Sequence, residues 1–362
     1  MKVAILCLSP GIGGLELYAL REYLALTARG VDCVPIVTAG SPLAQRFEAE
    51  QIPVMYLPVS FRKMPVLAAS RLAALLRQGS IDIVHMHFAK DLALAALAKK
   101  RYPFRLVYTR HMDISRNKKD IIHRFLYKEV DAFWTITESM RQQAVDYLPI
   151  DSDKIQCLYL GVGAPVGDGR QVDFFASSEF PKRQLNLALF GRMEREKGQH
   201  LLIDAMTRLI DKGMDISATL VGHVMDADYK SQLQHKIDQQ GLQQRIRFID
   251  FIDRPIESMV NFDVIVLTTF KETFGLVLPE AMRAGVAVIG SNAGGVPEII
   301  DAGETGLLFD SGSSDSLADA ISALYEDADF RQSLAACGKQ KADAMFAEDR
   351  HFDRVLEQLK QV

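Results

Sequence analysis

Short apolar runs alternate with amphipathic stretches along the whole chain. KVAILCL (2–8), VDCVPIV (31–37), IDIVHMH (81–87), RLVYTR (105–110) and AFWTIT (132–137) are mostly apolar on both faces, as parallel strands covered by helices on each side have to be. Between them, GLELYALREYLALTARG (14–30) and DLALAALAKKR (91–101) carry apolar residues at three- and four-residue spacing, the helical period. The pattern lapses over PVGDGRQVDFFASSEFPKR (165–183), which is rich in proline and glycine and reads as an interdomain linker. It then restarts: LNLALFG, SATLVG, IRFID, VIVLTT and AVIG read as strands, and KGQHLLIDAMTRLIDKG and YKSQLQHKIDQQG as helices ended by glycine. Two open, doubly wound α/β domains are expected, over 1–164 and 184–345, with 346–362 a terminal helix that packs back on the first domain.

Composition narrows the class. The 362 residues are 48% hydrophobic and 24% charged, as in globular chains, and long enough for two cores. Cys7, Cys33, Cys157 and Cys337 form no CxxC pair, which excludes a zinc ribbon and a disulfide framework and suits a reducing compartment. The opening MKVAILCLSPGIGG has an apolar run too short for a leader or a membrane span and reads as a first buried strand, so a cytoplasmic location is expected. The net charge of −4 hides an asymmetry: residues 1–170 hold 22 Lys and Arg against 16 Asp and Glu. The basic residues gather in 61–78 and 99–128, as a solvated face or as a surface for anionic lipid or phosphate at the inner face of a membrane. A nucleic-acid partner is not expected.

Open α/β sheets bind ligands beyond the carboxyl ends of their strands. SPGIGGLELYAL (9–20) follows the first strand with Gly13 and Gly14 at a helix start, where unpaired N–H groups suit a phosphate. The dinucleotide fingerprint fails, because Glu16 stands where its third glycine belongs. In the second half, Arg192 and Lys197 follow the strand LNLALFG, a planar fork and a point charge able to neutralise a diphosphate. In KETFGLVLPEAMRAG, Glu272 follows VIVLTT, Phe274 and Gly275 make a bend, and Pro279 suits the first turn of a helix that also holds Glu280. A carboxylate there can accept two hydrogen bonds from the adjacent hydroxyls of a ribose, or simply cap the helix.

GRMEREKG, ETFGLVLPEAMRAG, GGVPEII and TGLLF, in this order and spacing, resemble the second domain of the family 4 retaining glycosyltransferases of the GT-B fold, also called glycosyl transferases group 1. The resemblance runs over nearly the whole chain and is most specific over 188–310. It implies two Rossmann-like doubly wound domains facing across a cleft, the second holding a nucleotide-sugar donor such as a UDP-sugar and the first an acceptor that is a saccharide or lipid-linked. By it, Glu272 meets hydroxyls of the donor sugar and Glu280 the ribose. Arg192 and Lys197 hold the diphosphate with backbone N–H groups of Phe274, Gly275 and Leu276, and Gly13–Gly14 closes over phosphate. His111 lies beside the reacting carbon and positions the acceptor, with His87, Asn117 and Lys118 as further acceptor-side residues. Leu160, where asparagine is common, and LVGHVMDADY (220–229), which lacks a usual second glycine, depart from the pattern.

No metal or other cofactor is expected. The Asp-x-Asp pairs 151/153, 226/228 and 327/329 fall outside any strand-end setting and read as caps and loops. His85 and His87 share one side of a strand, as in metal-dependent hydrolases built on an eight-stranded barrel, but the later ligands such a barrel needs are missing apart from His223. The remaining alternatives are an epimerase of the same fold and a two-domain sugar-binding protein without chemistry.

Overall fold

The computed structural model describes residues 1–58, 65–166, 174–175 and 180–362. Most of the segment read as a linker therefore lies outside the described residues, as do Arg62 and Lys63 of the first basic stretch. The chain divides into two compact units, Met1–Tyr159 with Asp349–Val362, and Leu160–Glu348.

The first unit is built on strands β1 (Lys2–Cys7), β2 (Asp32–Val37), β3 (Met55–Tyr56), β4 (Ile83–Met86), β5 (Arg105–Arg110), β6 (Ala132–Thr135) and β7 (Ile155–Cys157), all parallel in the order 3-2-1-4-5-6-7. The second repeats the plan with β8 (Leu185–Phe190), β9 (Ile216–Val221), β10 (Ile246–Ile249), β11 (Val264–Leu267), β12 (Ala287–Ser291) and β13 (Leu307–Phe309), in the order 10-9-8-11-12-13. These are open sheets, which removes the eight-stranded barrel. The buried strands follow from composition: β8, β9 and β11 have every residue buried, so each needs helices on both faces. Helix Gln199–Asp211 supplies part of that cover through Leu201, Leu202, Ile203, Ala205, Met206 and Leu209.

In both sheets the strand order reverses at one place, between β1 and β4 and between β8 and β11. Loops leaving neighbouring strands there run in opposite directions and open a crevice at the carboxyl edge, the usual ligand position of such sheets.

One boundary differs from that expected. Leu160 to Val162 belong to the second unit, because Val162 N donates to Phe346 O and the Arg283 guanidinium donates to Val162 O. The described parts of 165–183 are more than a tether. Phe174, Phe175 and Phe180 surround the Arg247 guanidinium, which lies 4.2 Å from the Phe180 ring centre, a cation–π cage that proline and glycine content does not reveal.

Candidate active site

In the second unit, the loops leaving β8, β11 and β12 are laced together by backbone-directed bonds. Thr268 Oγ1 donates to Lys197 O at 2.7 Å, Phe270 N to Glu196 O, Ser291 Oγ to Thr269 O at 2.6 Å, and Gly295 N to Glu272 O at 3.0 Å. Glycine makes the approach possible. Gly198 and Gly294 have φ of 68° and 60°, and a Cβ on them would stand 2.4 Å from Thr268 O and 1.9 Å from Glu272 O. The GGVPE turn thus sits directly behind Glu272. Gly222 packs in the same way on Gly191, so the departure at 220–229 leaves that contact intact.

This lacing brings Lys197 and Glu272 together across 75 residues of sequence, Nζ to Oε2 at 2.9 Å, with both side chains about one-fifth exposed. Arg192 is more open and pairs with Glu194 Oε1 at 2.8 Å. Phe274 is buried against Phe346 and anchors the bend, Gly275 has a φ of 91°, and Gly275 O and Leu276 O accept the first bonds of helix Val277–Arg283. Glu280 lies in that first turn, half-buried. The helix has only seven residues, so its dipole is short. Arg192, Lys197, Glu272, Phe274, Gly275, Leu276 and Glu280 therefore share one carboxyl edge.

In the first unit, Gly13 caps helix Gly14–Ala28 in an extended conformation, and a Cβ on Gly11 or Gly14 would meet nothing within 4 Å. These glycines leave free space rather than relieve crowding. His87 and His111 follow β4 and β5 and meet there, His87 Nδ1 and His111 Nε2 being 3.2 Å apart. Asn117 Oδ1 accepts from Lys119 N in a tight turn, and Lys118 N donates to Tyr147 O. Partial burial, then Arg110 and Arg116, push the Lys118 amine down, a setting that favours an anion.

The sequence reading missed Glu22, Tyr18 and His351. Glu22 occupies the buried stripe Tyr18, Ala19, Glu22, Leu26 of its helix, a position that an aliphatic residue would fill; that anomaly was the available signal. Its Oε1 accepts from His85 Nδ1 at 2.5 Å and its Oε2 lies 2.7 Å from His87 Nε2, all three side chains fully buried. Burial pushes the carboxyl up, but His85 and His87 outweigh it and hold it well below the ordinary range. Burial pushes His87 and His111 down. His351, from the terminal helix, accepts from Tyr18 O–H at 2.8 Å; burial and then Arg21 bring it down to about 3.

Glu22, His85 and His87 are also three donors within 4.8 Å of one another. A tetrahedral zinc would space its donors about 3.3 Å apart, and the contacts here, 2.5 Å from Glu22 to His85 and 2.7 Å from Glu22 to His87, are closer than that spacing. Asp226 and Asp327, from two of the Asp-x-Asp pairs, cap helices through Tyr229 N and Phe330 N.

Residues 171–341 match the family model described as glycosyl transferases group 1, and residues 12–164 match the model of glycosyltransferase family 4. The chain belongs to the group 1 glycosyltransferases. Relatives of this glycosyltransferase include an N-acetyl-alpha-D-glucosaminyl L-malate synthase of Bacillus anthracis, 24% identical over 97% of this chain and 94% of the relative. A D-inositol 3-phosphate glycosyltransferase of Corynebacterium glutamicum is 25% identical over 88% and 85%. Among solved structures, Anabaena HepE in complex with UDP superposes with a TM-score of 0.85 at 22% identity over the full length of both chains. A Rickettsia africae glycosyltransferase does so with 0.87 at 19% over 99% and 98%. The glycosyltransferase accordingly has the GT-B fold of two Rossmann-like domains.

Proposed function

We propose that the protein moves a sugar from a nucleotide diphosphate sugar, with UDP as the nucleotide, to a hydroxyl of a saccharide or lipid-linked acceptor, retaining the anomeric configuration and using no metal. The observation that carries this reading is the Lys197–Glu272 pair at the crevice of the second sheet, with Arg192 on the same loop as Lys197. A cation pair there neutralises the leaving diphosphate as charge develops, while the carboxylate holds sugar hydroxyls. In this reading Glu280 takes the ribose, Gly13–Gly14 the phosphate, and His111, with His87, Asn117 and Lys118, the acceptor side. The leaving phosphate takes the acceptor's proton in a same-face step. HepE, whose structures hold UDP and UDP-glucose, supports the choice of nucleotide.

Calorimetry with UDP, GDP and ADP, with and without magnesium, tests this on the parent chain and on Glu280→Ala. Micromolar, magnesium-independent binding of UDP that weakens in the variant is expected; no binding of any of the three removes the reading. Release of nucleotide only when an acceptor is added excludes the epimerase.

The reading extends to cell-envelope glycan or lipopolysaccharide synthesis at the inner face of a membrane, for which the first unit offers support. No helix among the described residues is long and apolar enough to cross a membrane. Helix Ile121–Tyr127, however, leaves Ile121 83% and Ile122 67% exposed, beside exposed Phe125 and Met112, with Lys119 and Arg124 around them. Exposed apolar side chains with Lys119 and Arg124 near them, and the capping Asp120 engaged by His123, suit an anionic lipid surface. Vesicles of phosphatidylglycerol should bind the parent and release Ile121→Asp, and phosphatidylcholine should bind neither; absence of binding by the parent ends the membrane reading.

A further inference from the structure

The buried groups of the first unit form a chain rather than a cluster. It runs from Thr109 Oγ1 to His85 Nε2 at 2.7 Å, from His85 Nδ1 to Glu22 Oε1 at 2.5 Å, from Glu22 Oε2 to His87 Nε2 at 2.7 Å, and from His87 Nδ1 to His111 Nε2 at 3.2 Å. Strand alternation puts His85 and His87 of the β4 edge, and Thr109 and His111 of the β5 edge, on the same side of the sheet. Glu22 comes down on them from the helix above, one turn after Tyr18.

The carboxylate sets a direction. Ionised Glu22 only accepts, so His85 must present a hydrogen at Nδ1, and a lone pair on His87 Nε2 would be repelled at 2.7 Å. His87 therefore carries its proton on Nε2. That nitrogen and Glu22 Oε2 have no other hydrogen-bond partner, and their alignment falls short of a full hydrogen bond, so the contact acts through the attraction between the carboxylate and the N–H dipole. A neutral His87 then has its lone pair on Nδ1, and His111 must donate to it from Nε2. The lone pair of His111 is left on Nδ1. Among the described residues that atom has no hydrogen-bond partner, and His111 as a whole keeps 8% of its surface exposed.

We propose that Glu22, acting through His87, is a positioning device that fixes His111 in the Nε2–H tautomer, so that Nδ1 is offered as an acceptor to a substrate hydroxyl. The inference rests on the reading of His111 as an acceptor-side residue. Every charged or titratable group facing the ring fits it: Glu22 and Tyr18 from the helix, His85 and His87 from β4, and His351 from the terminal helix, whose ring takes the Tyr18 hydroxyl and leaves His111 to His87. No proton needs to move along the chain.

Histidine-labelled full-length protein, studied by ring-nitrogen NMR at pH 7, tests this directly, because protonated and lone-pair nitrogens resonate far apart. His111 is expected as a single Nε2–H form in the parent, and as a mixture of both tautomers in Glu22→Gln and in His87→Gln. A His111 protonated on Nδ1 in the parent overturns the proposal whether or not either variant folds, and so does a single unchanged tautomer in folded variants. Stoichiometric zinc that shifts the His85 and His87 nitrogens together also overturns it, in favour of a metal site. Calorimetry with UDP on the same samples separates this inference from the donor reading: UDP affinity should stay within twofold in both variants, and a parent that binds no UDP removes the donor reading while leaving the tautomer result intact.

Discussion

The two units repeat one topology and fill its crevice by opposite means. The second unit puts charge near water: Lys197 and Glu272 are about one-fifth exposed and Arg192 more than half, and tight glycine contacts hold their loops. The first unit puts charge inside: Glu22, His85 and His87 are fully buried, with loop glycines that touch almost nothing. Exposed charge is cheap to hold and free to meet a charged ligand. Buried charge is costly unless every partner is in place, and what it gains is fixed orientation. On the proposed reading, the same fold offers one crevice for a polyanion and one for a hydroxyl.

The comparison is broken most severely at the glycines. Gly294→Ala forces a Cβ against Glu272 O at a positive φ, and should cost about 3 kcal/mol of stability together with loss of nucleotide binding. Gly14→Ala in the first unit should change stability by less than about 0.5 kcal/mol. Denaturant melts of the two variants give the contrast, and equal melts would refute the difference in packing.

Next comes charge at the second crevice. Lys197→Ala leaves Glu272 without its cation and should lower turnover about 100-fold. Near-normal turnover would remove Lys197 from the reaction.

Acid should separate the units more gently. His87, His111 and His351 bind protons more weakly folded than unfolded, so each contributes stability that is complete above about pH 6.5 and drains away as pH falls toward the folded value, about 3 for His351. Glu22, also lowered, acts in the same direction below its ordinary 4.5. The chain's single tryptophan, Trp134, packs edge-on to His85 at 4.9 Å, so its fluorescence reports on the first unit. Its melting temperature should fall steadily from pH 7 to pH 4; a flat profile would mean that the histidines are not held neutral. The smallest effect is on stability in Arg192→Ala, within about 0.5 kcal/mol, because its pair with Glu194 is mostly in water.

Alternating apolar runs and helical stretches fixed two parallel sheets, because a strand buried on both faces has no other home, and GRMEREKG with ETFGLVLPEAMRAG located the loops that carry Arg192, Lys197 and Glu272. The contact of Gly294 with Glu272 O joins the loops after β11 and β12, and sequence alone does not reveal it. Tertiary structure decided what distance in sequence conceals. Lys197 meets Glu272 only because β8 and β11 are neighbours, and Phe174, Phe175 and Phe180 become a cage only once Arg247 arrives from another strand. Glu22 belongs to no motif that the sequence displays. It became the pivot of a buried histidine chain when the sheet put His85, His87 and His111 beneath it, since local pattern records which residues are apolar and only packing decides which polar ones must find partners indoors.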